Sequence, residues 1–373
     1  MSKIFKIKVM HILSSLNSSW GIIHLIRNFF DELGQEDIEF DFLYFLDTPN
    51  DMSAYFKEKH AKLYKFDKLN LKNYKKVKKQ MVQALIDADC DIVHLHMPIL
   101  HFVVKSAIKE ANKVLNKKIK IILHAHDIVL SSYFLKSIRS RLMLTGCCKN
   151  TDMLLACSKR AGKVFFGKHF KKDGKVLYNA INLDRFNKKS NRLSELKNEF
   201  NIKDQTVYCH VGRICKQKNQ TFLIDIFNEI VKKSPDSKLL IVGNGDADKI
   251  NEVNEKIKRY NLTDKVVLTG SRQDVQDILQ IVDFFVFPSI HEGLGIVLIE
   301  SQVAKVVSVA STMCPEESKI SNLITYLPLK LSAKEWAESI LKIKYPEKVE
   351  IDTSEYDISN SAKNLLNIYS SIL

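Results

Sequence analysis

Short apolar runs alternate along the chain with longer stretches in which apolar residues return every three to four positions. That alternation is the pattern of βα units, whose strands line up in a parallel sheet covered by helices on both faces. In the first half, the runs at 7–13, 40–46, 92–96, 119–123, 153–157 and 175–178 read as buried strands. Helical periodicity falls near 22–33, 74–86, 100–114 and 159–166. The pattern then restarts, with strands expected at 207–211, 239–242, 266–268, 284–287 and 306–309. The helix at 219–233 is the clearest, because Phe222, Leu223, Ile226, Phe227, Ile230 and Val231 form one face and Ser234-Pro235 ends it. Further helices are expected at 333–343 and 358–373. The polar stretch 179–191 reads as a strand-free linker. These readings divide the chain into one Rossmann-like domain at 1–182 and a second at 183–355, with a last helix at 356–373 crossing back to the first. Doubly wound sheets bind ligands at the carboxyl ends of their strands, so a ligand shared by both halves is expected in a cleft between them.

A length of 373 residues fits two domains at about 100–200 residues each. Composition is that of a globular protein, 45% hydrophobic and 27% charged, with few glycines and prolines to break long elements. Seven cysteines without C-x-x-C spacing, two of them adjacent at Cys147 and Cys148, read as reduced thiols of a cytoplasmic protein. The apolar opening is interrupted by His11 and reads as a buried first strand instead of a leader. No window approaches the roughly 20 apolar residues that cross a bilayer, so membrane contact is expected to be peripheral.

Charge is divided unevenly. Residues 1–185 carry 32 Lys and Arg against 18 Asp and Glu, while residues 186–373 carry 25 of each, so the net +14 lies in the first half. It gathers at 72–79, at Lys105, Lys109, Lys113, Lys117 and Lys118, and at 159–175, positions read as helix or loop surface. Solvated helix faces account for such charge, and so does an anionic partner: a membrane leaflet, a phosphate-bearing acceptor or nucleic acid. No aromatic stacking platform or base-reading helix accompanies it, which sets nucleic acid aside.

The chemistry concentrates after the expected strand at 284–287, in Pro288-Ser289-Ile290-His291-Glu292-Gly293-Leu294-Gly295-Ile296, running on to Glu300. Gly293 and Gly295 let backbone come close to a ligand, and free N–H groups where a helix opens, at about Gly295, suit a phosphate. Glu292 meets the ligand from the loop, and Glu300 is placed to accept hydrogen bonds from a vicinal diol such as a ribose. After the strand at 207–211, Gly212-Arg213 and then Lys216, Lys218 and Asn219 put cations at a helix start, which suits a diphosphate. Gly243-Asn244-Gly245-Asp246 and Thr269-Gly270-Ser271-Arg272 follow strands on the same rim, although a lone G-x-G is equally a tight turn. In the first half, His124, His126 and Asp127 end a strand. With no fourth ligand at recognisable spacing, a metal there is disfavoured. His94 and His96 end another strand, with structural or acceptor-side roles.

Glu292 and Glu300, seven residues apart, with the strand, PS, EGLG and apolar helix around them, resemble the E-x7-E motif of the retaining GT-B glycosyltransferases of family 4 (group 1). HVGRICKQKN, LLIVGNGD and VLTGSRQDV extend the likeness over essentially the whole chain, most closely to enzymes of bacterial capsular and exopolysaccharide assembly. The resemblance implies an α/β GT-B fold, two Rossmann-like doubly wound domains facing across a cleft. It implies transfer of a sugar from a nucleotide diphosphate, a UDP-sugar, to a saccharide or polyprenyl-diphosphate-linked acceptor, at the inner face of the cell membrane and without a metal or other cofactor. By the same likeness Glu292, His126, Arg213 and Lys218 are catalytic. Arg213, Lys218, Gly243, Arg272, Glu292, Gly293, Leu294, Gly295, Ile296, Glu300 and Gly21 bind the donor, backbone around Ser271-Arg272 facing the base. Two positions depart from the family. The usual Gly-Gly loop after the first strand reads Leu16-Asn17-Ser18-Ser19-Trp20-Gly21-Ile22, and the usual glycine after the Glu300 helix is Lys305. The altered loop leaves open a catalytically inactive sugar-binding subunit, and the two glutamates leave open a glycoside hydrolase.

Overall fold

The computed structural model describes residues 6–17, 21–34, 38–48, 51–70, 72–127 and 141–373. Within these the chain forms two compact units, Met1–Ala180 together with Ile358–Leu373, and Ile181–Asp357. Ser18, Ser19 and Trp20 of the altered first loop lie outside the described residues.

The first unit is built on seven parallel strands in the order β3-β2-β1-β4-β5-β6-β7. They are β1 Ile7–Ile12, β2 Ile38–Tyr44, β3 Leu63–Lys65, β4 Ile92–Leu95, β5 Lys120–Ala125, β6 Met153–Ala156 and β7 Gly174–Val176. Both faces are covered, so the central strands are apolar without alternation, as Val9, Met10 and Ile12 of β1 show. The last helix, Ile358–Ile372, belongs to this unit, where Ile358, Ala362, Leu365, Ile368 and Tyr369 join a core with Phe29, Phe30, Phe40 and Phe42.

The second unit has six parallel strands in the order β10-β9-β8-β11-β12-β13. These are β8 Thr206–Val211, β9 Ser237–Val242, β10 Val266–Gly270, β11 Phe284–Phe287, β12 Val307–Ser311 and β13 Ile324–Leu327. In both units the strand order reverses beside the first strand, between β1 and β4 and between β8 and β11. Such a reversal splays the flanking loops apart and leaves a crevice at the carboxyl ends. All seven cysteines are free thiols, and no described helix is long and apolar enough to cross a membrane.

Three expectations needed correction. The stretch 179–191 is polar but not bare linker: Asn182 caps a short helix, Leu183–Asn187, by accepting the Arg185 N–H at 3.3 Å, and Ile181 pairs with Asp357. β3 and β13 were missed because each is a short edge strand, paired on one side only, whose run is too brief to stand out from loop. Lys105 is not free surface charge. Its ammonium donates to the Cys147 and Lys149 carbonyls and to Thr151, and burial lowers its pKa.

Lys305 follows the helix Ile296–Val303 with φ 61°. Its N–H bonds the Gln302 carbonyl at 2.9 Å and the next N–H, of Val306, bonds Ser301 at 2.9 Å, which is a Schellman closure that favours glycine. A left-handed L-residue costs roughly 1–2 kcal/mol, against roughly 0.5–1 kcal/mol of extra chain entropy lost by glycine on folding. Lys305→Gly is therefore expected to raise the melting temperature of this unit by about 2–4 °C, read by calorimetry; a lower melting temperature excludes strain at this cap.

Candidate active site

In the second unit the residues singled out from the sequence collect where β8 and β11 end, on either side of the reversal in strand order. After β8 the chain turns at Gly212 and reaches Lys218 before the helix Gln220–Lys233, with Asn219 at φ 59° as its cap. After β11 comes the segment 288–292. Four contacts stitch the two segments together. The Asn219 side chain donates to the Pro288 carbonyl (3.1 Å), and the Ile290 N–H donates to the Gln217 carbonyl (2.8 Å). The Gln217 amide donates to His291 (2.9 Å), and Lys218 Nζ donates to Glu292 Oε1 at 2.8 Å. Ser289 Oγ donates to the same Oε1 at 2.7 Å and is itself buried.

The Lys218–Glu292 pair is enclosed, with side-chain exposures of 16% and 6%. Lys218 Nζ also sits 4.6 Å from the centre of the Phe287 ring, a cation over an aromatic face. An ammonium has three N–H donors, so after the bond to Glu292 others remain for an anion. Arg213 is half exposed, its guanidinium 4.0 Å from Asp246.

The glycines of this rim are explained by packing. A Cβ on Gly243 (φ 137°) would lie 2.3 Å from the Gly212 carbonyl oxygen, and one on Gly245 2.1 Å from that of Ile214. The G-x-G therefore lets the loop after β9 lie against the loop after β8. Arg272, on the loop after β10, has its guanidinium committed to Glu199 and Asp274, which leaves its backbone for any ligand. Gly293 and Leu294 are buried, and Gly295, at φ 78°, caps the helix Ile296–Val303 one residue after the expected start.

Glu300, on the second turn of that helix, forms no side-chain hydrogen bond or ion pair among the described residues. Burial pushes its carboxyl up to about 7, offset in part by Arg185. His210, fully buried on β8, is held the other way: burial pushes it down to about 3, so it is neutral and donates Nδ1–H to the Val286 carbonyl (3.0 Å). Its Nε2 accepts from Gln220, whose amide also donates to the Arg213 carbonyl (3.0 Å). Ser289, Gln217, Gln220 and His210 thus set the two loops, and the sequence reading assigned them nothing. Only the polarity of Gln217 and Gln220 beside the cations hinted at it.

In the first unit Gly21 opens the helix Gly21–Leu33, exposed and with open space where a Cβ would sit. His126 follows β5, its Nε2 2.8 Å from Nδ1 of His96, while His124 is buried 3.1 Å from His94.

Comparison with known proteins finds glycosyltransferases along both units. Residues 205–343 match the family profile described as glycosyl transferases group 1, and residues 21–185 match that described as glycosyltransferase family 4. The putative glycosyltransferase EpsF of Bacillus subtilis (strain 168) is 24% identical, with 97% of this chain and 96% of the relative covered. The UDP-Gal:alpha-D-GlcNAc-diphosphoundecaprenol alpha-1,3-galactosyltransferase of Escherichia coli is 30% identical over 34% of this chain and 33% of its own. The crystal structure of Anabaena Alr3699/HepE in complex with UDP shares the fold, with a TM-score of 0.72 at 17% identity, covering 99% of this chain and 98% of that one. The glycosyltransferase profiles set aside both the glycoside hydrolase and the nucleic-acid-binding readings of the two glutamates and the basic half. With its two Rossmann-like halves each matched by a glycosyltransferase profile, the chain belongs to the group 1, family 4 glycosyltransferases of GT-B fold and is an enzyme of the hexosyltransferase type.

Proposed function

We propose that this enzyme is a retaining glycosyltransferase that moves a sugar from a UDP-sugar to a saccharide or polyprenyl-diphosphate-linked acceptor in bacterial surface-polysaccharide synthesis. The observation that carries the reading is the enclosed Lys218–Glu292 pair beside a helix start, which sets phosphate-binding and hydroxyl-binding groups next to each other. The UDP complex of the HepE neighbour and the lipid-linked acceptor named for the Escherichia coli relative support the donor and acceptor classes. In this reading residues 183–355 bind the donor and residues 1–182, with the last helix, bind the acceptor. Arg213 and the free N–H groups of Lys218 hold the diphosphate, assisted by the start of the helix Ile296–Val303. Glu292 orients the sugar through its hydroxyls, and His126 serves the same transfer. Backbone at Gly21, Gly243, Arg272, Gly293, Leu294, Gly295 and Ile296 lines the donor. The bond from the anomeric carbon to the leaving phosphate oxygen breaks as the bond to the acceptor oxygen forms on the same face. The departing phosphate takes the acceptor's hydroxyl proton, and the cations stabilise the charge that remains. They do so in place of a metal.

Arg213→Ala is expected to lower kcat/KM about 10–100-fold, the worth of a charge-assisted hydrogen bond, while melting as the parent does, since the side chain is half exposed. Lys218→Ala loses transfer and also stability, because it leaves Glu292 buried and unpaired, at a cost of about 3–5 kcal/mol. The parent enzyme keeps its rate in excess EDTA. Parental transfer by Arg213→Ala, or EDTA inactivation reversed by Mg2+ or Mn2+, overturns this assignment.

Glu300 predicts a pH dependence. A ribose diol donates its hydrogen bonds to the ionised carboxyl, so the donor KM is expected to be lowest above about pH 7 and to climb as pH falls below it. Folding stability runs the opposite way. The unfolded chain releases this proton near 4.5 and the native one near 7. The native state therefore binds the extra proton in that window, and the stabilisation present below about 4.5 is lost as pH rises to about 7. In Glu300→Gln both slopes flatten and the donor KM is raised throughout. A variant whose KM follows the parental pH profile has no ribose contact to lose.

The proposal extends to location: a cytoplasmic enzyme held peripherally on an anionic membrane surface where the lipid-linked acceptor lies. Support comes from the basic residues that remain exposed on the first unit, among them Lys75, Lys79, Lys109, Lys113, Lys118 and Lys171. Each Lys or Arg near an anionic leaflet contributes about 1 kcal/mol. Sedimentation with vesicles should show binding to anionic but not neutral lipid, lost at high salt. Equal binding to both, or to neither, leaves these residues as solubilising surface.

A further inference from the structure

The turn that carries Arg213 is pinned through its main chain, and the side chain that pins it is Gln220, the first residue of the helix Gln220–Lys233. Gln220 is buried, and both N–H groups and the oxygen of its carboxamide are engaged. One N–H donates to the Arg213 carbonyl (3.0 Å), the other donates to His210 Nε2 (3.2 Å), and the oxygen accepts from the Cys215 N–H (3.3 Å). Between these two anchors the Ile214 N–H donates to the Asn244 carbonyl (2.9 Å), and the Ile214 carbonyl accepts from the Asp246 N–H (3.3 Å). From Arg213 to Cys215 the turn is therefore held from two sides.

His210 orients that carboxamide. A neutral imidazole has one N–H and one lone pair. With Nδ1–H donating to the Val286 carbonyl (3.0 Å), the lone pair of Nε2 is left for Gln220, so a single tautomer satisfies both bonds. Burial pushes the imidazole down to about 3, and the lone pair persists at neutral pH. The ring is also stacked on Phe287, with centres 5.2 Å apart. A continuous polar chain thus runs from β11 through His210 and Gln220 to the backbone of Arg213.

Arg213 has little else to direct it. Its guanidinium forms no hydrogen bond among the described residues, and its ion pair with Asp246 spans 4.0 Å. The direction of the side chain therefore comes from the backbone beneath it. The neighbouring cation is set by the same turn: a Cβ on Gly212 would lie 3.1 Å from Lys218 Cε, so the lysine stem runs over this glycine. From these contacts we infer that Gln220, oriented by His210, is a positioning residue for the donor diphosphate, holding the Arg213 main chain where its guanidinium meets the anion. The inference rests on the assignment of Arg213 to the diphosphate and adds to it two buried residues that act through Arg213. Stability alone does not call for them, because replacing both partners of a buried hydrogen bond with apolar groups of the same shape is nearly neutral.

The full chain is titrated with UDP, which carries the diphosphate, and with uridine, which lacks it, by calorimetry. Arg213→Ala is expected to weaken UDP about 10–100-fold and to leave uridine unchanged. Gln220→Met keeps the length of the side chain without its N–H groups. It should weaken UDP about 10-fold, within the range for a binding group displaced by about 1 Å, and bind uridine as the parent does. In the double variant UDP affinity should stay within about 2-fold of Arg213→Ala alone, since residues acting through one contact do not add. His210→Phe keeps the ring stack and removes the lone pair, and should weaken UDP about 3-fold, the worth of one neutral hydrogen bond. If Gln220→Met fails to fold, His210→Phe carries the test. Parental UDP affinity in Gln220→Met beside a weakened Arg213→Ala, losses that multiply in the double variant, or an equal loss of uridine, the mark of a loosened unit, each overturns the positioning role. No saturable UDP binding by the parent, or UDP bound by Arg213→Ala as by the parent, removes the diphosphate assignment itself and this inference with it.

Discussion

The second unit depends on the ion pair between Lys218 and Glu292. Both charges lie largely out of water, where their attraction is strong and the loss of either partner is costly. The pair closes a set of contacts that begins with Asn219 on Pro288 and Gln217 on Ile290 and His291. With those contacts made, the loops after β8 and β11 behave as one surface. That surface in turn requires Gly243 and Gly245, because any side chain there would strike the backbone of the loop after β8.

The two units meet the same geometric situation with different chemistry. In each, the strand order reverses beside the first strand and the carboxyl ends of its neighbours crowd polar side chains into one place. The second unit fills that place with charges that neutralise each other and with a carboxyl, Glu300, raised to about 7 by burial. The first fills it with imidazoles, which burial holds neutral. Desolvation works on both, raising an acid and lowering a base, and only in the second unit is it met by an opposite charge.

Much of this was legible in the chain itself. Apolar runs separated by 3.6-period stretches suffice to announce parallel βα architecture, because a strand covered on both faces is apolar throughout. Glu292 and Glu300 stood out because both sit within one local stretch of a strand, a glycine loop and a helix. Arg213 and Lys218 were visible for the same reason. Lys305 was legible as a departure from a family pattern, and the structure supplies the cause, a left-handed cap that favours glycine.

Other features were decided only in three dimensions. That Lys218 pairs with Glu292, 74 residues away, follows from β8 and β11 being neighbours, and sequence spacing does not reveal strand order. Why position 243 must be glycine was likewise decided by the fold, because a glycine that admits a ligand and one that admits a neighbouring backbone look alike in sequence. His94 and His96 lie against His124 and His126 because β4 and β5 pair in parallel, bringing residues about 28–30 positions apart side by side. Local composition determined which elements form and which loops carry charge. The pairing of those elements, a product of the shared core and the right-handed crossovers between strands, determined which of those charges and rings face one another.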